Sequence, residues 1–275
     1  MVCSRSQGTY HEFEQNIVKV SIVTPSYNQA RFLDETIRSV LSQDYQNIEY
    51  IIVDGGSTDG SVEIIRRYAD RLAWWASELD RGQTDAINKG FARATGDIFA
   101  WLNSDDTYHP GAVSQAVNYL QTHPEAGLVY GNANLIDEKG KILGKFPART
   151  TDYQKLLRGY VHIPQQAAFF RGNLWKKVGT LDPDFTFAMD YDLWVRLAKI
   201  SELHHIPSLW ANFRLHSNGK TNIIDNRCYP EMLKVYYRER GKKPSWLAAK
   251  AMIRRLGYSR LPVSLRIWLN RVTPW

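Results

Sequence analysis

KVSIVTPSYNQARFLDETIRSVLSQDYQNIEYIIVDGGSTDG, residues 19–60, reads as strand, helix and strand. Lys19–Thr24 (KVSIVT) and Glu49–Val53 (EYIIV) are short β-branched runs suited to a buried pleated surface. Between them Leu33, Ile37, Val40 and Leu41 fall at i, i+4, i+7 and i+8, one stripe of a helix. Strands joined by a helix need a crossover, and crossovers within one sheet are parallel and right-handed. The same alternation continues outward. Val62, Ile65 and Ala69 form one helical stripe and Ile87, Phe91 and Ala94 another, while Asp97–Leu102 (DIFAWL) and Gly127–Tyr130 (GLVY) read as strands. Residues 18–130 are therefore expected to form a Rossmann-like, doubly wound α/β half with a mostly parallel sheet. In such sheets ligands bind beyond the carboxyl ends of the strands.

Residues 131–222 read as a mixed α+β half. Asn134–Lys145 has the pattern of a hairpin, Gln166–Phe170 of a strand, and Asp190–Ile200 of a helix through Leu193, Leu197 and Ile200. The alternating segment containing His204 and His205 reads as another strand, whose histidines have a structural role. Residues 223–275 are expected to be a basic helical extension broken by Pro244, Pro262 and Pro274.

Composition excludes several classes. With 44% hydrophobic and 23% charged residues in 275, the chain has the balance of a globular protein, neither disordered nor fibrous. It has no apolar run of about 18 residues and no apolar core to its N-terminus, which implies a cytoplasmic protein. Cys3 and Cys228 fit neither a disulfide framework nor a zinc spacing. Residues 231–275 carry eleven Lys or Arg against Glu231 and Glu239, within a chain whose net charge is +7. With Trp246, Leu247, Ile253, Leu256, Leu265, Ile267 and Trp268 among the cations, this segment reads either as a peripheral anchor on an anionic membrane surface or as a packing helix with a solvated basic face. No nucleic-acid partner is expected.

Polar clusters directly follow the first strands: Thr24-Pro25-Ser26-Tyr27-Asn28, Asp54-Gly55-Gly56-Ser57-Thr58-Asp59-Gly60 and Asn103-Ser104-Asp105-Asp106. The second cluster has the composition of a strand-to-helix turn with a cap at Thr58 or Asp59. Asp54 stands at the strand end rather than at the cap, where a carboxylate can accept the N–H of a nucleobase. The paired carboxylates of the third cluster suit Mg²⁺ or Mn²⁺ held together with a diphosphate, unless the cluster is only a solvated loop before a helix near Pro110.

The ordered series SIVTPSYN, IIVDGGSTDGS, GQTDAINKG, GDIFAWLNSDD, DYDLWVRL and FRLHSNGKT, spanning residues 18–222, resembles the family 2 glycosyltransferases, which have the A-type nucleotide-sugar fold. The resemblance implies that Thr24, Pro25 and Tyr27 line the nucleobase and ribose pocket and that Asp54 binds the base. Asp80, Arg81, Asp85 and Asn88 would face the donor sugar and diphosphate. Asp105 matches the metal-binding aspartate of the family's Asp-x-Asp signature, with Asp106 as a compensating carboxylate; Asn103, in place of the first aspartate, and Ser104 between them would bind the donor. His216 matches a histidine that contacts metal or diphosphate. Asp190 matches the catalytic base, with Met189 where the family has glutamate. Asp192 is the rival for that role and otherwise an acceptor residue, and both aspartates also suit the start of a helix dipole. Gln165 and Gln166 have the donor and acceptor capacity to bind acceptor hydroxyls.

The implied reaction is inverting transfer of a sugar from a nucleoside-diphosphate sugar, UDP by default, to a saccharide or lipid-linked acceptor in bacterial cell-surface polysaccharide or glycolipid synthesis. Two rival readings are a sugar-phosphate nucleotidyltransferase and a nucleotide-sugar-binding protein without catalysis. TPSYNQAR lacks the Gly-rich basic loop expected of the first.

Overall fold

The computed structural model describes residues 17–217, 219 and 228–240. The first half alternates as expected: β1 (Val20–Ser26), α1 (Ala30–Leu41), β2 (Ile48–Asp54), α2 (Ser61–Arg67), β3 (Trp74–Ser77), α3 (Gln83–Arg93) and β4 (Ile98–Trp101). The four strands are parallel in the order β3-β2-β1-β4.

Beyond β4 the elements are β5 (Thr107–Tyr108), α4 (Ala112–Thr122), β6 (Ala126–Ile136), β7 (Ile142–Lys145), α5 (Tyr153–Leu157), β8 (Ala168–Arg171), α6 (Gly172–Val178), α7 (Met189–Ala198), β9 (Glu202–Arg214) and α8 (Cys228–Arg240). The sheet continues through β8, which is antiparallel to both β4 and β6. β9 then runs parallel to β6, and β5 caps the far edge antiparallel to β9. β6 and β7 form the expected hairpin. The whole is one mixed sheet, parallel through the first half and of mixed direction beyond it. The strand expected at Gln166–Phe170 begins two residues later, because Gln165–Ala167 closes a 3₁₀ turn.

Successive residues of β1 and β2 point to opposite faces, and each face has its own core. Ile22, Tyr50 and Ile52 pack with Leu33, Ile37 and Ile65 of α1 and α2 and with Val113 and Val117 of α4. Val23, Ile51 and Val53 pack with Ile87 and Phe91 of α3 and Trp194 of α7. Each such side chain contributes about 1.5–3 kcal/mol when fully buried. Helix α3 lies so close to β1 that a Cβ on Gly90 would collide with the Val23 side chain.

Helix α8 packs against this body, with Met232 and Val235 buried in the same core as residues of α3 and α7. The apolar and basic positions from Trp246 to Trp268, together with Cys3 and with Asn218, Lys220 and Thr221 of the last motif, lie outside the described residues.

Candidate active site

The registers Ser26↔Asp54 and Asp54↔Ser77 bring β1, β2 and β3 to a common carboxyl edge, and Val23↔Trp101 ends β4 beside them. The three polar clusters of the sequence therefore meet along one edge, joined by the residues that follow β3.

The β2 loop is built around Asp54, which is wholly buried. One carboxylate oxygen accepts the N–H groups of Gly56 (3.1 Å) and Ser57 (2.9 Å) and the Ser77 hydroxyl (2.7 Å), and the other accepts the Ser57 hydroxyl (2.6 Å). Asp54, read from the sequence as a base-binding group, is thus engaged in folding its own loop. Thr24 is also interior, paired with the Tyr50 hydroxyl at 3.0 Å, and Pro25 is buried. Tyr27 projects, at 62% exposure. Asn28, in the left-handed region at φ 51, laces the two loops together by accepting the Thr58 N–H at 3.0 Å while the Ser57 hydroxyl accepts its own N–H at 2.8 Å. A groove of about 540 Å³ lined by Ser57, Thr58, Arg66, Trp75 and Ser77 runs beside this loop.

Asp80 closes over the same loop. A Cβ on Gly55 would stand 2.9 Å from an Asp80 oxygen, and Asp80 accepts the Gly82 N–H at 2.7 Å. Arg81 is solvent-facing and pairs with Asp85 at 3.2 Å. Burial opposes the Asp85 charge, but hydrogen bonds from the Arg81 backbone and guanidinium and the charge of Lys89 outweigh it and hold this carboxyl below the usual range. Asn88 is engaged at both ends of its side chain. Its amide donates to the Leu181 carbonyl (2.9 Å) and accepts the Leu181 N–H (3.0 Å), so both ends fasten the loop before α7. Thr84 fastens the same loop through the Phe185 carbonyl (2.9 Å) and Met189 Sδ (2.9 Å).

At the end of β4, Asn103 joins three segments. It accepts from Gln83 at 2.6 Å and donates to Gln165 at 3.2 Å and, weakly, to Asp106 at 3.4 Å. Gln165 also donates to the Trp101 carbonyl at 2.7 Å, so its amide braces the strand end; Gln166 is 4% exposed. Gln166 Nε2 is buried without a hydrogen-bond partner. Ser104 is buried.

Asp105 and Asp106, adjacent in sequence, have opposite environments. Asp106 is fully buried, accepts the Arg214 N–H at 2.9 Å, and is pushed well above the usual carboxylate range by burial and then by the Asp105 charge. Its side chain thus faces the interior beside Arg214. Asp105 instead meets His216, with Oδ2 and Nε2 2.9 Å apart. Among the described residues no group of three or more His, Cys, Asp or Glu is arranged to hold a metal. The Asp105–His216 pair, one carboxylate and one imidazole, still fits a cation that takes few protein ligands and completes its shell with substrate phosphates.

Sequence reasoning missed the residue that organises this pair. Arg214, at the end of β9, donates Nε to the Asp105 carbonyl (2.8 Å), Nη1 to the Asp137 carbonyl (3.2 Å) and Nη2 to Glu35 (2.6 Å), while its backbone N–H holds Asp106. Its guanidinium lies 4.9 Å from the centroid of Phe32, whose ring also packs on His216 at 4.9 Å. An arginine ending an alternating strand reads as a surface residue, and no local spacing marks it otherwise.

Helix α7 carries the two candidate bases. Asp190 stands in its first turn and accepts the Tyr191 N–H at 2.7 Å. Asp192 is wholly buried, paired with Arg196 at 2.8 Å and with Arg238 of α8 at 2.6 Å. Held between two guanidinium groups, Asp192 ties α8 to α7.

A mixed sheet with nucleotide-type loops on its parallel half and a carboxylate–imidazole pair at the strand edge defines an A-type glycosyltransferase fold, and solved structures agree. S. aureus TarS in complex with UDP-GlcNAc superimposes with a TM-score of 0.66 at 14% identity, over 90% of this chain and 77% of that one. The mannosyltransferase PcManGT from Pyrobaculum calidifontis, in complex with GDP-Man and Mn²⁺, gives 0.64 at 19% identity, over 95% of this chain and 77% of that one. The family model for glycosyl transferase family 2 matches residues 21–190, and the chain belongs to that family. An uncharacterized glycosyltransferase of Mycobacterium tuberculosis is 35% identical over 66% of this chain and 70% of its own length. One of Rickettsia felis is 33% identical over 75% of this chain, which spans only 36% of that relative.

Proposed function

We propose that the chain is an inverting glycosyltransferase that moves a sugar from a nucleoside-diphosphate sugar, UDP-linked by default, onto an acceptor hydroxyl. The observation that carries this reading is the Asp105–His216 contact of 2.9 Å at the edge where the β1, β2 and β4 loops meet. The UDP-GlcNAc of TarS and the GDP-Man and Mn²⁺ of PcManGT, bound on the same fold, support a nucleotide-sugar donor and a divalent ion.

Asp105 and His216 would hold Mn²⁺ or Mg²⁺, which when bound offsets the charge developing on the departing diphosphate. Tyr27 offers its exposed ring to the nucleobase, and Asp80 and Arg81 border the donor. Asp190 is the general base that takes the acceptor hydroxyl proton as that oxygen attacks the anomeric carbon. The pairing of Asp192 with two guanidinium groups supports Asp190 over Asp192 for this role. Thr84 of the donor segment bonds Met189, the residue before Asp190, which supports a base within reach of the donor. One displacement with one base inverts the anomeric configuration.

The acceptor is a saccharide or a lipid-linked saccharide of the cell surface. The basic excess of residues 231–275 supports a peripheral place on an anionic membrane. Among the described residues no helix is long and apolar enough to cross one.

Thermal denaturation with UDP, GDP and their sugars, with and without Mn²⁺, tests the donor assignment, since a ligand of the native state raises apparent stability. A nucleoside diphosphate that stabilises more strongly with Mn²⁺ is the expected result. Indifference to every nucleotide refutes the assignment. NMR of the product from an α-linked donor is expected to give a β-anomer, and retention refutes single displacement.

A further inference from the structure

Helix α7 begins without a cap of its own, because its N-cap position is Ala188 and no side chain there bonds the first turn. The N–H groups at a helix start have no partner within the helix and need one from elsewhere. For the N-cap residue and the two residues that lead into it, the partner comes from more than forty residues away. Glu231, in the first turn of α8, accepts the Thr186 N–H through one oxygen (3.1 Å) and the Phe187 and Ala188 N–H groups through the other (2.7 and 2.8 Å). We propose that Glu231 is a positioning residue that fixes the start of α7, and so the carboxylate of Asp190, against the donor segment. This inference rests on the reading of Asp190 as the base.

Three further features support it. First, Glu231 is itself held in place. One turn on, Val235 is fully buried; at the next, Arg238 pairs with the buried Asp192 at 2.6 Å, and Glu239 pairs with Lys199 at 2.9 Å and accepts the Tyr153 hydroxyl at 3.1 Å. The spacing 231, 235, 238, 239 is one helical stripe, so α8 contacts α7 and its surroundings along a single face. Second, the same loop is gripped from the opposite side. Thr84 and Asn88 of α3 bond Phe185, Met189 and Leu181, so residues 181–189 lie between the donor segment and α8. Third, Glu231 and Asp190 share one neighbourhood. Cys228 is pushed up to about 12 by burial and then by the charges of Asp190 and Glu231.

The consequence is functional because a base must stand within hydrogen-bond reach of the hydroxyl it deprotonates, and a displacement of about 1 Å can cost about 100-fold in rate. A conventional cap on the preceding residue would stabilise α7 equally well. A cap supplied by α8 instead makes the placement of the base depend on the C-terminal helix.

The test compares Glu231→Ala, Glu231→Gln, the exposed control Lys234→Ala, Asp190→Asn and the double variant Glu231→Ala/Asp190→Asn in the full-length chain. Hydrogen exchange is followed in peptides covering residues 181–192. Nucleoside-diphosphate release is measured with UDP-GlcNAc, UDP-glucose and GDP-mannose in the presence of Mn²⁺. Glu231→Ala is expected to speed exchange in these peptides and to lower kcat about 10- to 100-fold with donor KM unchanged. Glu231→Gln, which keeps one carbonyl acceptor, recovers part of both, and Lys234→Ala changes neither. Because Glu231 acts through Asp190, the double variant is no slower than Asp190→Asn alone. Unchanged exchange at 181–192 in Glu231→Ala overturns the proposal even for a donor that is not turned over. Wild-type kcat in Glu231→Ala beside an inactive Asp190→Asn overturns it while leaving the base assignment intact. Full turnover by Asp190→Asn overturns the base assignment itself.

Discussion

His216 Nε2 lies 2.9 Å from Asp105 Oδ2, joining the loop after β4 to the segment that follows β9, 111 positions along the chain. The contact gathers the two halves of the sheet at one point on the strand edge. If that point holds the cation, Asp105→Asn abolishes the Mn²⁺-dependent part of nucleotide stabilisation, and His216→Ala weakens Mn²⁺ affinity by about 10- to 100-fold. Calorimetric titration of Mn²⁺ in the presence of UDP measures both.

Arg214 holds the Asp105 carbonyl, the Asp106 carboxyl, Glu35 and the Asp137 carbonyl at once. Lysine cannot present donors in this planar fork. Arg214→Lys is therefore expected to lose about 2–4 kcal/mol of stability in urea denaturation, since it leaves buried acceptors unpaired. It should also weaken UDP binding, although Arg214 is not assigned to touch the donor.

Asp190 and Asp192 should separate cleanly in experiment. Asp192→Ala removes the partner of two guanidinium groups and is expected to cost about 3–5 kcal/mol while the folded fraction keeps its turnover. Asp190→Asn should change stability by less than about 1 kcal/mol and lower kcat by about 10²–10⁴. Denaturation curves and single-turnover rates on the same preparations make the comparison.

Glu49 predicts part of the acid limb of stability. Burial opposes its charge, but the Ser21 hydroxyl, the Thr95 N–H and hydroxyl and the nearby Lys19 outweigh it and hold its carboxyl below the usual range. A folded-state value below the unfolded one means the contribution is complete above the unfolded value, about 4.3, and is lost as pH falls through the folded one. Glu49→Gln should be less stable than wild type at pH 7, with the difference shrinking below about pH 4 in thermal scans.

The parallel half was legible because its signals are local. KVSIVT, EYIIV and DIFAWL become β1, β2 and β4, and the stripes of Leu33, Ile37 and Val40 and of Ile87 and Phe91 become the buried faces of α1 and α3. β3 escaped because Trp-Trp-Ala-Ser is four residues long and lies between charged segments. Site residues divided along the same line. Asp105, His216 and Asp190 stand at motif positions that the sequence makes visible, whereas Asn88, Gln165 and Asp192 have partners in Leu181, Trp101 and Arg238 that no local spacing reveals. Arg214 and Glu231 were invisible for the converse reason. Their partners lie up to 179 residues away, and a glutamate at the head of a basic segment carries no mark of being the cap of another helix.

The most direct test of the central claim is the product formed from a nucleotide sugar by the wild type, Asp105→Asn and Asp190→Asn, each with Mn²⁺ and a saccharide acceptor. The account predicts release of nucleoside diphosphate with the acceptor gaining one sugar by mass, and loss of that release in both variants. Release of pyrophosphate, or a rate indifferent to both substitutions, would contradict it.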